Sequence, residues 1–320
     1  MQYQVNYSFQ FPIRLIYGYL KSSSKEIQLP SAFPAKTEWG EMLECTNFFV
    51  HDVSDLSIEI SWISIKTGHV FYFRGPLKLA SEILNNNEIT LLIGLGAFGE
   101  IAIWLNHQFQ RILYLYAEGV EITEKITDDM ISNANFTNSE GKHISSLVEL
   151  CKYDIIKFNH NNKFDINNDN YLSNKMKRFN YRYQIENVPH GYSIYEYLSD
   201  TTFCKLYNSN IEQYHMAAKP IKLAIEWIQY DDSYSVYIWL NENKLIQLFE
   251  KFYGAHPDTK TDFIIRIDAE KKKYELALFR HGLKEPQIIS EDAYQLLVFK
   301  NKFEDYRSDN YNQERGAWIW

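Results

Sequence analysis

The chain contains few of the residues from which several kinds of site are built. Its three cysteines, Cys45, Cys151 and Cys204, are widely spaced, and none belongs to a CxxC pair. An odd, sparse set of this kind is typical of reduced thiols in a cytosolic protein. No stretch reaches the roughly 18 unbroken apolar residues that a membrane helix needs. The first residues have neither a basic region nor an apolar run, so no signal peptide is predicted.

The chain also has fewer basic than acidic side chains. The sequence has 33 Lys and Arg against 41 Asp and Glu, which gives a formal net charge of −8. A nucleic-acid groove needs a positive field to hold phosphates, so the charge argues against a nucleic-acid partner. It fits a soluble protein that meets a basic partner.

Motifs for catalysis and metal binding are missing as well. The nine histidines are scattered without HxxxH or HExxH spacing, and there is no GxSxG elbow. Three acidic pairs occur, at 128–129, 231–232 and 304–305. Adjacent acids on a strand or turn point apart, and we interpret these pairs as solvated faces. The sequence therefore predicts no catalytic residue, no metal and no cofactor, and the chain is not expected to be an enzyme.

One glycine-rich segment matches a nucleotide-binding pattern. Residues 94–99 satisfy GxGxxG and follow a predicted strand. A dinucleotide site also needs a helix directly afterwards, whereas residues 101–105 are β-like. The corresponding turn in the second half, 269–273, has no glycine. We interpret the motif as a hairpin turn and keep a nucleotide-binding enzyme as a third hypothesis.

Strand patterns dominate what the sequence does contain. Aromatic residues make up 16% of the chain, which suits pleated, half-buried sheet. Residues 56–63 alternate between apolar and polar, with Trp62 on the apolar side, and 69–74 form a second, aromatic strand. Residues 221–228 match the first strand position by position, with Trp227 in the place of Trp62, and an aromatic strand again follows.

These echoes predict an α+β fold, mostly antiparallel β-sheet with a few short helices, in two internally duplicated β-rich units. The expected division is a first repeat at 1–127, a connecting segment at 128–178, and a second repeat with a C-terminal helix and tail at 179–320. Residues 21–54 are expected to be irregular. Helices are predicted at 77–86, 143–153, 242–253 and 290–303. Strands are predicted at 7–11, 13–20, 89–94, 100–105, 111–116, 263–268 and 274–280.

The chain resembles a bacterial family, domain-of-unknown-function family 2931. The resemblance is carried by residues 58–64 and 71–73, by the run 92–105, and by the basic-aromatic segment 177–183. Such proteins are similar to, or found beside, immunity proteins of interbacterial toxin systems, including type VI secretion. The resemblance implies a stoichiometric inhibitor of one toxin, without catalytic residues. Many members look like lipoproteins; this chain has no lipobox, which points to a toxin that acts in the cytosol.

Our leading hypothesis is therefore a cytoplasmic immunity protein that covers the active cleft of a cognate toxin with a basic surface. Acidic and Tyr-rich segments would supply steering and contact residues. The expected partner-binding residues are Asp231, Asp232, Tyr234, Glu304, Asp305, Tyr306, Asp309 and Tyr311. That these segments are ordinary solvated edges remains an open alternative.

The alternative function is a glycan-binding module that uses exposed Trp and Tyr as stacking platforms. A Tyr-rich sheet permits this function. The sequence, however, shows no tandem exposed aromatics that would define sugar subsites, and it does not separate exposed from buried Tyr.

Overall fold

The structure is a computed structural model. It describes residues 2–9, 13–22, 26–29, 46–49, 56–64, 68–77, 88–107, 110–122, 171–188, 191–229, 232–268, 273–280 and 282–302, with a few positions between 132 and 149. The chain divides into two compact units, unit 1 at Met1–Asp169 and unit 2 at Asn170–Trp320. Both consist mainly of antiparallel β-sheet, in agreement with the predicted β-rich fold.

The strands described in unit 1 form two sheets. They are β1 Gln2–Phe9, β2 Ile13–Lys21, β3 Glu26–Gln28, β4 Thr46–Phe49, β5 Ser57–Ser64, β6 Val70–Pro76, β7 Glu88–Leu95, β8 Glu100–His107, β9 Gln110–Glu118 and β10 Val120–Ile122. Sheet 1A has the order β4-β1-β7-β8-β9, and sheet 1B has the order β3-β2-β5-β6-β10. Within sheet 1A, β1 pairs with β7 in parallel.

Unit 2 is built from two sheets and a well-formed helix. Its strands are β11 Phe179–Glu186, β12 Ser193–Leu198, β13 Phe203–Tyr207, β14 His215–Ala217, β15 Pro220–Gln229, β16 Asp232–Leu240, β17 Thr261–Asp268, β18 Lys273–Arg280, β19 Gln287–Ile288 and β20 Tyr294–Lys302. Its helices are α1 Tyr171–Met176, α2 Asn208–Ile211, α3 Glu242–Tyr253 and a 3-10 turn at Glu291–Ala293. Sheet 2A has the order β14-β11-β17-β18-β19, and sheet 2B has the order β13-β12-β15-β16-β20.

The strand pairing of the two units corresponds throughout the described residues. Numbering the strands from the start of each unit, sheets 1A and 2A both have the order fourth, first, seventh, eighth, ninth. Sheets 1B and 2B both have the order third, second, fifth, sixth, tenth. The first strand is parallel to the seventh in each unit. The fifth and sixth strands are antiparallel in each unit. The two units therefore have one topology.

Each unit buries one apolar cluster to which both of its sheets contribute. In unit 1, β5 supplies Ile58, Ile60 and Trp62, while β7 supplies Leu91 and Ile93. On β5 these side chains alternate with Ser57, Glu59 and Ser61, as the period-two pattern predicts. In unit 2 the equivalent positions on β15 are Leu223, Ile225 and Trp227, and α3 adds residues to the same cluster.

The two tryptophan hairpins confirm the predicted strands. Trp62 lies opposite Phe71 across β5 and β6, and it is fully buried. Trp227 lies opposite Tyr234 across β15 and β16, with the two rings stacked 5.0 Å apart. The predicted packing of both tryptophans in the core is therefore correct.

Helix α3 matches its predicted bounds. The side chain of Asn241 caps its N-terminus by accepting a hydrogen bond from the Lys244 amide at 3.1 Å. Leu245, Phe249 and Phe252 are buried at helical spacing. The predicted strands around residues 89–94, 100–105, 111–116, 263–268 and 274–280 are confirmed by β7, β8, β9, β17 and β18.

The helix predicted at 290–303 is wrong beyond its first turn. Glu291–Ala293 forms a 3-10 turn, and strand β20 then pairs with β16 along nine residues. Leu296 and Val298 pack against the core, whereas Leu297 and Phe299 are exposed on the other face. Apolar residues on both faces of a strand imitate a helical pattern, because the period-two signal disappears.

Other helix and loop predictions have mixed outcomes. The irregular segment predicted at 21–54 contains β3 and β4, two short strands at sheet edges. The helix predicted from residue 143 does not begin there, since His143 forms a bridge with Thr137 and residues 144–146 are not helical. The helix predicted at 77–86 lies, after Leu77, outside the described residues, as does the tail after 302.

Candidate functional site

The predicted partner-binding residues fall largely outside the described residues. Asp231, Glu304, Asp305, Tyr306, Asp309 and Tyr311 are among those outside. Asp232, at the start of β16, forms an ion pair with Lys300 of β20 at 2.7 Å. Tyr234 is partly buried against the core, stacked on Trp227, and the Lys300 ammonium lies 5.5 Å from its ring centre. The structure brings Asp232 and Tyr234 together around Lys300, so Asp232 presents a neutralised charge.

The GxGxxG segment is the β7–β8 hairpin turn, and it supports Trp62. The carbonyl of Gly96 accepts a hydrogen bond from the Trp62 indole nitrogen at 3.0 Å. The amide of Phe98 donates to the Glu100 carboxylate at 3.0 Å. A phosphate cradle needs free amides and a positive field. Because a carboxylate already occupies this turn, the glycines fit a structural role, as predicted.

Unit 2 also contains a buried polar cluster that the sequence did not indicate. Glu196, on the core face of β12, is 2% exposed. Its carboxyl group accepts hydrogen bonds from Tyr183 at 2.8 Å and from the Cys204 thiol at 3.2 Å. The Nε2 atom of His215 lies 3.9 Å from the same carboxyl group. Burial raises the pKa of Glu196 above its usual value.

The residue types of this cluster resemble a cysteine protease site, but its chemistry differs. Burial is the main cause that raises the pKa of the Cys204 thiol far above its usual range, and the nearby Glu196 adds to it. A thiol nucleophile needs the opposite shift. No group of three His, Cys, Asp or Glu side chains suited to a metal occurs in the described part of the chain. The cluster is best explained as a buried carboxyl group with satisfied hydrogen bonds.

The outer face of sheet 2B is the most site-like surface in the described residues. It is the face opposite the core, and its residues lie in cross-strand rows. One row is Phe203, Tyr197, Lys222, Trp239 and Gln295; the next is Lys205, Tyr195, Ala224, Tyr237 and Leu297; the third is Tyr207, Ser193, Glu226, Ser235 and Phe299. We call these three rows the aromatic–lysine face. Three of its apolar side chains are well exposed: Tyr207 at 57%, Leu297 at 45% and Phe299 at 44%.

Two lysines lie over the rings of this face. The Lys205 ammonium is 4.4 Å from the ring centre of Tyr195 and donates a hydrogen bond to its hydroxyl at 2.6 Å. The Lys222 ammonium is 5.3 Å from the ring of Tyr197 and 5.7 Å from that of Trp239. All three distances fit cation–π contacts. These contacts hold the two lysine side chains against the rings.

The rings of this face pack against their neighbours. Tyr197 lies between Phe203 of β13, with which it stacks at 5.5 Å, and Lys222 of β15. Tyr237 stacks on Trp239 at 5.9 Å. Neighbouring side chains therefore cover flat faces of Tyr197, Tyr237 and Trp239.

The outer face of sheet 2A is different. It carries ion pairs across neighbouring strands: Arg182 with Asp262 at 2.6 Å, and Arg266 with Glu186 at 2.7 Å. These charges neutralise each other. A ladder of this kind is typical of a solvated sheet surface.

Sequence reasoning missed the aromatic–lysine face for a simple reason. The relevant signal was present as alternation, with aromatics at 195, 197, 237 and 239 separated by core residues. Strand pairing places these four aromatics on one face of sheet 2B, with Ala224 and Lys222 of β15 between the two pairs. Tyr237 is buried and the other three are half-buried, so the expectation of no tandem exposed aromatics is not contradicted. Pairing between strands distant in sequence cannot be read from one strand alone.

Comparisons with family models, curated proteins and solved structures found no match. The resemblance to family 2931 therefore remains a prediction. Among the described residues, no helix combines the length and apolar character that crossing a membrane requires.

Proposed function

We propose that this chain is a non-catalytic immunity protein, which binds and neutralises a cognate antibacterial toxin of a type VI secretion system in the cytoplasm. The observation that carries the proposal is the aromatic–lysine face. Aromatic side chains are enriched at the centres of protein interfaces, where they supply much of the binding energy. Rings already fixed by their neighbours lose little conformational entropy on binding.

The proposal also includes an internal duplication of one ten-stranded unit. The correspondence of strand order and pairing between the two units supports it, as do the sequence echoes around Trp62 and Trp227. A duplicated scaffold gives one copy freedom to acquire a binding surface while the other retains its surface charges.

Co-expression in bacteria tests the function. Each gene encoded beside that of this chain is expressed alone and together with this chain, and cell growth is followed. We expect one neighbour to be toxic alone and harmless with this chain, and the two proteins to purify as a stoichiometric complex. If toxicity persists for every neighbour despite soluble expression of this chain, the immunity proposal is wrong.

A glycan-binding module is the second candidate, because the aromatic–lysine face carries several aromatic rings on one side of one sheet. Sugars stack on the flat faces of aromatic side chains, however, and here Phe203 and Lys222 flank Tyr197. The covered ring faces favour a protein partner. A glycan array probed with the full chain separates the two, since selective sugar binding would support the module.

A further inference from the structure

Strand β20 ends sheet 2B, and no described strand pairs with its other edge. It is long for an edge strand, because it runs beside β16 for nine residues without a shift in register. The edges of sheet 2A, by contrast, are β14 with three residues and β19 with two. Short edge strands are one way in which proteins prevent pairing with other chains. Sheet 2B lacks this protection along β20.

Other protective features of edge strands are also missing from β20. Residues 294–302 contain neither proline nor glycine, and no bulge interrupts the pairing with β16. The first six residues, 294–299, carry no charge. Alternate residues of an antiparallel edge strand point their amide and carbonyl groups away from the sheet. Strand β20 therefore presents a row of backbone donors and acceptors that an additional strand can use.

The side chains of β20 leave apolar surface exposed on both faces of the sheet. Leu297 and Phe299 are 45% and 44% exposed on the outer face. On the opposite face, Tyr294, Leu296 and Val298 pack against the core but are only half-buried. A strand added beside β20 would bury more of these five side chains, and burial of apolar area is the main driving force of protein association.

The charges at the two ends of β20 have opposite signs. Glu291 and Asp292 precede the strand in the 3-10 turn, and the sequence places lysines at 300 and 302 at its end. Asp292 and Lys300 each have an ion-pair partner in unit 2, yet their side chains remain 67% and 57% exposed. When two copies of β20 pair antiparallel, the acidic start of each lies beside the basic end of the other. Parallel pairing would bring like charges together.

We propose that β20 is the pairing edge of a homodimer, in which the β20 strands of two copies lie antiparallel about a two-fold axis. Such an interface uses the same surface of both subunits. A register centred on residues 296–298 pairs the uncharged segments and places the acids of one copy near the lysines of the other. Sheet 2B of one copy then continues into sheet 2B of its partner. The opposite charges favour a second copy over an unrelated strand, because a second copy supplies both complementary ends.

The contact is small, which limits the strength of the dimer. A standard interface uses about 20–30 residues on each side, whereas each copy here contributes β20 and the short turn before it. We therefore expect reversible association with a dissociation constant in the micromolar range.

Sedimentation velocity of the purified full chain, at concentrations from about 1 to about 200 µM, tests the dimer. We expect the mass to rise with concentration from that of one chain toward that of two. Leu297→Lys brings like charges of the two copies close to the axis, so it should weaken the dimer on the order of tenfold. Its melting temperature at low concentration should remain that of the unaltered chain, because Leu297 is exposed.

Met216→Lys is the matched control. Met216 is also 45% exposed and also lies on an edge strand of unit 2, the three-residue β14. This variant should dimerise as the unaltered chain does. Hydrogen exchange locates the contact: amides at 294–300 should become protected as the concentration rises, whereas those at 215–217 should not.

Exchange of charges tests the antiparallel direction. The variant Glu291→Lys/Asp292→Lys has two basic ends, and the variant Lys300→Glu/Lys302→Glu has two acidic ends. Each should dimerise more weakly than the unaltered chain, and a mixture of the two should form a heterodimer. If each variant alone dimerises as the unaltered chain does, the antiparallel arrangement is wrong.

The proposal is overturned if the chain stays monomeric over the whole concentration range. It is also overturned if Leu297→Lys and Met216→Lys dimerise alike, since the contact then lies elsewhere. A monomeric chain whose residues 294–300 become protected only with the co-expressed toxin would assign this edge to a strand of that partner instead. The dimer is measured on the purified chain alone, so this inference and the proposed function can fail separately.

Discussion

Sheets 1B and 2B have the same strand order but different outer faces. On β5 of sheet 1B, Glu59 lies opposite Arg74 and forms an ion pair with Lys21 at 2.8 Å. The hydrogen bond from Lys21 holds the pKa of Glu59 below its usual value. The matching position on β15 is Ala224, opposite Tyr237. On the outer face of sheet 1B, Lys21 lies over the Tyr19 ring and is also paired with Glu59, whereas on sheet 2B Lys205 and Lys222 lie over the rings of Tyr195 and Tyr197.

The inner faces are alike where the outer faces diverge. Both units bury a tryptophan opposite an aromatic residue of the next strand. The core positions therefore determine the topology, and the outer positions are free to differ. This difference indicates where a binding function can reside without a change of fold.

The largest expected effect is the difference in stability between two variants, one with Trp62 and one with Trp227 replaced by Phe. Trp62 donates a buried hydrogen bond to Gly96, whereas the Trp227 indole nitrogen is buried without a hydrogen-bond partner among the described residues. Trp62→Phe leaves a buried carbonyl unsatisfied, so it should cost about 1–3 kcal/mol more than Trp227→Phe. Urea denaturation of both variants measures this, and equal costs would show that the two sites are equivalent.

The next effect concerns how closely the chain packs against Trp62. A Cβ atom at Gly119 would lie 2.7 Å from the Trp62 ring and 3.1 Å from the Tyr72 carbonyl. We expect Gly119→Ala to destabilise the protein by about 1–3 kcal/mol, because the ring and the backbone must both move.

Gly68→Ala is the control for this packing effect. Gly68 has a φ of +73° and open space around it, so its substitution costs only the backbone strain, about 1 kcal/mol. Thermal denaturation compares the two variants. A cost at Gly119 no larger than at Gly68 would contradict the tight packing.

A smaller, pH-dependent effect is expected in unit 2. Glu196 is a carboxyl group on the core face of β12, whereas the core face of β2 carries Leu20. Because burial raises the pKa of Glu196 in the folded state above its usual value of 4.5, the unfolded chain ionises first as pH rises. The folded state then binds more protons, so this group reduces stability as pH rises above about 4.5.

We therefore expect Glu196→Gln to gain stability relative to the unaltered chain as pH increases. Chemical denaturation of the variant and of the unaltered chain at pH 4.5 and at pH 8 gives the difference in their free energies of unfolding at each pH. Leu20→Met is the control at the corresponding position of unit 1. Its free energy of unfolding should differ from that of the unaltered chain by the same amount at both pH values. A constant difference for Glu196→Gln would mean that this carboxyl group titrates alike in both states.

The smallest effect is expected at Asp232. Its ion pair with Lys300 is partly exposed, and pairs of this kind contribute little to stability. Asp232→Asn should leave the melting temperature unchanged within error. If the proposed toxin is identified, the variant should also still neutralise it, since the acid is already paired. Lost toxin binding would instead support the partner-binding role predicted for this turn.

Much of the fold could be predicted from sequence because single strands carry their own signal. Alternation identified β5, β15 and their partners, and the spacing of Leu245, Phe249 and Phe252 identified α3. Strand β20 was misread as a helix because Leu297 and Phe299 add apolar residues to its outer face. That same departure from alternation is what makes the face a candidate for binding.

The candidate site could not be predicted in the same way. Tyr195 and Tyr237 join one row only because Ala224 lies between them in the sheet. Glu196 and Cys204 meet through the pairing of β12 and β13, since the register places them opposite each other. Both contacts depend on strand register, which a local pattern does not specify.

In each unit the first strand pairs in parallel with the seventh, and this pairing affects how the unit folds while it is synthesised on the ribosome. Gln2 of β1 pairs with Glu88 of β7, and Tyr181 of β11 pairs with Thr261 of β17. The first strand of a unit can pair with the fourth strand after roughly forty residues, but its parallel neighbour, the seventh strand, follows only some eighty residues after it. Long-range pairing of this kind slows folding and exposes unpaired edges meanwhile. Until the seventh strand has been synthesised, one edge of the first strand therefore has no partner from this sheet.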